Sequence, residues 1–191
     1  MRVRRLPIFF GIHLLILSCR IASAAAFDDA FQSAHQLKSR YYTIYLKEGV
    51  DADRLAMKIS VPSGIQSILH APIDGYRPYQ LEDQVDLLYL VVAELLDTQL
   101  KQFESSIKIC EDAECLSSIS QNLFGREIQS GGFYVVALDS LYIDSENVTL
   151  YILGHEMAHA LLSHYFAVPP PERIQEVLAG YVEYELRKSM R

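Results

Sequence analysis

Two histidines one helical turn apart, His155 and His159, bracket an acid in the run His155-Glu156-Met157-Ala158-His159. On a helix, positions i and i+4 lie about 40° apart, so both imidazoles face one side and can take neighbouring corners of a tetrahedral metal site. Glu156 would then lie close enough to accept a proton from a metal-activated water, which is the chemistry of a zinc hydrolase. The flanking residues favour a helix. Tyr151-Ile152-Leu153-Gly154 precede the motif, Ala160-Leu161-Leu162 follow it, and Val148, Ile152 and Leu162 continue an apolar stripe. Asn147 is the expected N-cap. Packing explains such a histidine pair badly, because each buried neutral imidazole would need its own hydrogen-bond partner.

A catalytic zinc usually takes three protein ligands and keeps one position for water. His164 is nearest in sequence, but on a continuous helix it points about 180° from His155. No glycine between His159 and His164 would let the chain bend off the helix. Glu176 is the better candidate. It follows Pro169-Pro170-Pro171, a break that can reverse the chain and bring a last helix back beside the first. Glu172 and Glu183 compete for the role. Glu183 is seven residues beyond Glu176, on the same helical face, so it can instead orient a histidine from behind.

The elements that must position these residues form a mixed order. Residues 27–36 carry a weak helical pattern, and 40–46, rich in aromatic and β-branched residues, read as the first clear strand. Asp51 can cap a short helix to about Ile59. Residues 61–79 are broken by three prolines and two glycines and read as a long loop. A main packing helix is expected over 81–103, where Leu81, Val85, Leu88, Val92 and Leu100 recur at helical spacing. A strand at 107–110, a helix at 113–123 ended by Gly125, and strands at 133–137 and 141–143 lead into the histidine helix. Residues 171–188 form the last helix, with Pro171 in its first turn. The result is an α+β chain: a short mixed sheet packed on helices. The strand at 133–137 could take an extended peptide by edge pairing, or lie buried in the core.

His155-Glu156-Met157-Ala158-His159-Ala160-Leu161-Leu162, followed by Gln175-Glu176-Val177-Leu178-Ala179-Gly180-Tyr181-Val182-Glu183, resembles the gluzincin metallopeptidases, most of all the minimal peptidase MA-like group. There a second helix carries a motif similar to Trp-Leu-x-Glu-Gly-x-Ala-Glu-Tyr. The resemblance spans about residues 131–187. It implies a small zincin-like domain, with His155, His159 and Glu176 as zinc ligands and Glu156 as the catalytic base. Arg173 stands where that group has Trp, Val177 where it has Gly, and Gly180 where a second Glu is common. Tyr181, Tyr184 and Tyr142 are candidate donors to a tetrahedral oxyanion, though with 12 tyrosines in the chain packing is the commoner use.

Composition sets the surroundings. The chain has 191 residues, half of them hydrophobic, enough for one domain with a sizeable core. Arg2, Arg4 and Arg5, the apolar run 6–17 and the small residues 22–26 read as a secretory signal peptide, leaving 27–191 as a single domain. A lipobox-like reading around Cys19 is the minor alternative. Cleavage would remove four arginines, making the formal charge of −7 more negative, which argues against nucleic acid and anionic membranes as partners. The apolar run is too short to span a bilayer. Cys110 and Cys115 then remain as an even pair, expected to form a disulfide in a secreted or periplasmic protein. The substrate expected is a peptide or protein, with a protein partner plausible as a source of specificity. The rival readings are an exported binding or assembly protein in which zinc only ties helices together, and a metal-free fold in which the motif is accidental.

Overall fold

The computed structural model describes residues 29–69, 75–128 and 130–190. The expected signal peptide and Cys19 lie outside them. Among the described residues, five strands form one mixed sheet and six helices pack around it. The strands are β1 (His35–Lys38), β2 (Tyr42–Leu46), β3 (Ser105–Cys110), β4 (Gly132–Val135) and β5 (Ser140–Asp144), in the order β1-β2-β3-β5-β4. The central β2, β3 and β5 are parallel, and both outer strands run antiparallel to their neighbours. The helices are α1 (Ala52–Lys58), α2 (Ser63–Gln66), α3 (Leu81–Leu95), α4 (Ala113–Phe124), α5 (Leu150–Tyr165) and α6 (Glu172–Ser189). None is long and apolar enough to cross a membrane.

Alternation along the strands divides the interior in two. Tyr42, Ile44 and Leu46, Ile107 and Ile109, and Leu141 and Ile143 point to one face, where they meet α1, α3, α5 and α6. Phe133, Val135, Tyr142 and Cys110 point to the other, where they meet Phe31 and, from α4, Leu116 and Ile119. The central strands therefore carry apolar side chains on both faces, as a sheet covered on both sides requires.

Several elements differ from their sequence reading. Residues 29–34 are turn rather than helix, because Asp29 bends back to accept from the Phe31 N–H at 3.3 Å and Phe31 drops into the second core. β1 is a polar, mostly exposed edge strand that hydrophobic periodicity does not reveal. Helix α3 stops at Leu95 rather than near residue 103, since Asp97 takes a positive φ of 50° and the Thr98 N–H turns back to the Ala93 carbonyl at 2.9 Å. Leu100 and Phe103 still pack against the core, from an irregular segment. The loop at 61–79 contains the one-turn helix α2. β4 ends at Val135, in a 3-10 turn over Val136–Leu138. Asp51 and Gly125 cap their helices as expected, Gly125 in the left-handed conformation at φ 67°.

Candidate metal centre

Helix α5 starts at Thr149, whose Oγ1 accepts from the Ile152 N–H at 3.3 Å. Asn147, the expected cap, is held instead by the buried Asp144, to which its Nδ2 donates at 2.5 Å. Asp144 also accepts from the Glu146 N–H at 2.8 Å, so it orders the short link from β5 into α5. The buried positions Leu150, Leu153, Met157, Ala158, Leu161 and Leu162 seat α5 against the sheet and α3, leaving His155 and His159 on its remaining flank.

Helix α6 returns antiparallel along that flank. Gly154 meets Leu186, His155 meets Glu183 and His159 meets Glu176. Ala179, Val182 and Leu186, at i, i+3 and i+7, are the buried seam of α6. Gly154 fixes the approach, since a Cβ there would sit 2.2 Å from Leu186 Cδ1. Any side chain at this position would force Leu186 or α6 to shift.

The crossing brings three donors together. His155 Nε2 and His159 Nε2 are 3.2 Å apart, Glu176 Oε2 is 3.6 Å from His155 Nε2, and Glu176 Oε1 is 3.4 Å from His159 Nε2. One donor atom from each residue lies within 4.8 Å of the others. A tetrahedral ion with ligands at about 2.0–2.1 Å places any two of them about 3.3 Å apart, so the triad fits a small divalent ion. The histidine side chains are 20% and 15% exposed, while Glu176 is 55% exposed and leaves its side of the triad open to solvent.

Both rings also have polar neighbours on α6. Gln175 lies beside the His159 ring and donates through its own Nε2 to the Pro170 carbonyl at 2.8 Å. Glu183 Oε2 is 3.4 Å from His155 Nδ1, too long for a formed hydrogen bond, and this buried nitrogen has no other partner. Arg187 holds the opposite oxygen of Glu183, with Nη2 and Nε donating to Oε1 at 2.6 and 2.9 Å, while its guanidinium stacks 3.7 Å from the centre of the Tyr151 ring. A carboxylate set behind a histidine fixes the ring's tautomer and direction once that hydrogen bond closes, and Glu183 is the group standing in that position. Burial and the neighbouring His155 push the His159 imidazole below its ordinary pKa, with Glu176 opposing, so its neutral, metal-ligating form is favoured.

Glu156 lies half-buried between α5 and β4. Burial pushes its carboxyl up to about 8; an N–H donated by Tyr134 opposes this, and the charges of Glu176 and Glu183 add to it. Gly131 lets the start of β4 come close to α5, since a Cβ there would meet the Asn147 carbonyl oxygen and Ile152 Cδ1 at 3.2 Å; a Cβ on Gly132 would meet Ile143 Cδ1 of β5 at 2.6 Å. Among the described residues β4 is paired only with β5; its other edge has no strand partner and turns the Tyr134 N–H to Glu156.

The structure thus brings together His155, Glu156, His159, Glu176 and Glu183, and leaves out the other candidates. His164 points away, 2.9 Å from Asp139 and edge-on to Phe103. Glu172 is exposed at the start of α6. Tyr181 and Tyr184 are exposed on α6, Tyr181 about 140° round the helix from Glu176, and Tyr142 faces the opposite side of the sheet, donating to Asp29 at 2.8 Å. Gln175, Arg187, Gly154 and the Tyr134 backbone enter the site without having been singled out. The i, i+4 spacing of Glu183 and Arg187 was the available signal for one of them. Cys110 and Cys115, expected as a disulfide, are free thiols hydrogen-bonded to each other. Compared with known proteins, the chain matches no family model, no curated protein and no solved structure.

Proposed function

We propose that the chain is a zinc-dependent hydrolase of peptide bonds, with His155, His159 and Glu176 holding the ion and Glu156 acting as general base. The observation that carries this reading is the convergence of the three donors from two helices, with the Glu156 carboxyl group next to them on the same helix. Bound zinc supplies Lewis acidity, which polarises a carbonyl and acidifies a water. Glu156, held by the Tyr134 N–H, accepts the proton of the attacking water and returns it to the departing amine. The free edge of β4 offers backbone donors and acceptors along which an extended peptide can align within reach of Glu156. Glu183, steadied by Arg187, directs His155, and Gln175 directs His159. The signal-peptide pattern at residues 1–26 supports a site of action outside the cytoplasm.

The test is a metal analysis paired with a hydrolysis assay. Purified protein is expected to carry one zinc per chain and to cleave an unfolded protein substrate. Glu156→Gln should keep the zinc and lose at least about a hundredfold in turnover. Unchanged turnover in that variant would remove the proposed base, and a chain that binds no zinc would remove the reading altogether.

A further inference from the structure

On the face of the sheet opposite the metal centre, the two cysteines meet at a polar cleft of about 330 Å³ lined by Lys47, Glu111, Asp112, Cys115, Ser118 and Asn122, among others. Cys110 ends β3 and is wholly buried (0% exposed). Cys115 is the third residue of the 12-residue helix α4, where its N–H donates to the capping Asp112 at 2.9 Å and its thiol borders the cleft. Lys47, just past β2, reaches the same sulfur with its ammonium group and is anchored by its own N–H to the Ile109 carbonyl at 3.1 Å. A partly open thiol at a helix N-terminus, flanked by an ammonium and by a second thiol, is the setting in which a thiolate forms and reacts.

We propose that Cys110 and Cys115 form a thiol–disulfide exchange site, with Cys115 attacking an incoming small disulfide, Cys110 resolving the mixed disulfide and Lys47 positioning the reactive thiolate. The two thiols play different parts. The hydrogen bond from Cys110, together with Lys47, holds Cys115 below the ordinary thiol range against its burial. The same hydrogen bond, with burial, pushes Cys110 up. The charged groups facing Cys115 are Lys47 just past β2, Glu111 and the capping Asp112 before α4, Glu114 in its first turn, and Asp29 across the cleft. Lys47 is the only cation among the lining residues, so the rim is net acidic and favours a cationic disulfide over an anionic one. In the first step the Cys115 thiolate bonds to one sulfur of the disulfide R–S–S–R, and RS⁻ leaves and takes a proton from water. In the second, Cys110 loses its proton to solvent and attacks the Cys115 sulfur, forming the Cys110–Cys115 bond and releasing the other thiolate, which is protonated in turn. Two protein thiols are oxidised and one disulfide is reduced to two thiols.

The test treats the whole reduced chain with cystamine, a cationic disulfide, and separately with oxidised glutathione, an anionic one, and locates the products by peptide mass mapping. Wild type should reach the internal disulfide without lasting adduct, faster with cystamine, and return on addition of dithiothreitol. Cys110→Ser should accumulate a single adduct on Cys115. Lys47→Gln should slow Cys115 modification several-fold at neutral pH and move its pH profile upward, a change a merely structural lysine would not produce. On unaltered folded protein, iodoacetamide should label Cys115 and spare Cys110, which tests the assignment without any variant. Equal labelling of both thiols, an adduct appearing first on Cys110, no adduct in Cys110→Ser, or an unmoved profile in Lys47→Gln would overturn the proposal.

Discussion

Replacing Gly154 by alanine tests whether the crossing of α5 and α6 builds the metal centre. The added Cβ would lie 2.2 Å from Leu186 Cδ1 and 3.6 Å from Val182 Cγ1. Carbon atoms rest about 3.5–4.0 Å apart, so about 1.3–1.8 Å of relief is needed. Leu186 is wholly buried and its methyl has no solvent to move into, so part of the relief must come from α6 itself. Overpacking of this kind costs about 1–3 kcal/mol. Alanine in place of glycine within a helix returns about 1 kcal/mol. The net effect is a destabilisation of up to about 2 kcal/mol, read as a lower urea midpoint with unchanged slope. The consequence for the site should be larger, because Glu176 and Glu183 ride on α6 and stand 3.4 to 3.6 Å from their histidine nitrogens. A movement of even 1 Å removes Glu176 from the triad, so zinc affinity measured by chelator competition should fall at least about tenfold. Gly154→Ala combined with Leu186→Ala removes the clashing methyl and should restore affinity while leaving the core weaker. A Gly154→Ala protein about 1 kcal/mol more stable than wild type, with unaltered zinc affinity, would refute the idea that close approach at this glycine sets the site.

Three further outcomes follow from the same geometry. Glu176→Ala should cost at least about tenfold in zinc affinity by competition titration while leaving the far-ultraviolet circular dichroism unchanged, because the side chain is exposed and takes no part in the core. In metal-free protein, Glu156 binds its proton more tightly folded than unfolded, so its contribution is fully present at low pH and is lost as pH rises from the ordinary glutamate range through about 8. Urea midpoints between pH 5 and pH 8.5 should reveal a decline of up to about 4 kcal/mol that Glu156→Gln abolishes. Asp29 behaves oppositely: burial opposes its ionisation, but the hydrogen bonds from Lys108 and Tyr142 outweigh it and hold its carboxyl below the ordinary range. Its stabilisation is present at neutral pH and lost as pH falls through that lowered value, and Asp29→Asn should cost about 3 kcal/mol at pH 7 by stranding the largely buried Lys108, with Asp29→Asn/Lys108→Met recovering most of it.

The three converging donors were readable because helical spacing is a strong constraint. Once His155 and His159 are placed on one face and a proline break follows, few acidic residues can return to meet them, and Glu176 is the one that does. The α+β class and the two-helix end of the chain were legible for the same reason. Residues whose role depends on distant partners were not. Asp29 is an ordinary surface residue until Lys108 and Tyr142 are folded over it, and Gly154 looks like a blemish in a helix until Leu186 is packed against it. The length of α3 was misjudged because Leu100 and Phe103 satisfy a helical period yet reach the core from irregular chain. β1 escaped notice because an exposed edge strand has no apolar alternation to display. Thr149 displaced Asn147 as the cap of α5 because Asp144 claimed the asparagine first.

The two borders of the sheet are not equivalent. β1 presents His35, Gln36 and Lys38, and charged, polar borders of this kind discourage a second chain from adding on. β4 carries Gly132, Phe133, Tyr134 and Val135, uncharged and largely buried, with no such guard among the described residues. Of the two borders, the one on the side of Glu156 is therefore the less defended against an added strand, so an extended segment that joins this sheet is steered towards the glutamate and away from β1.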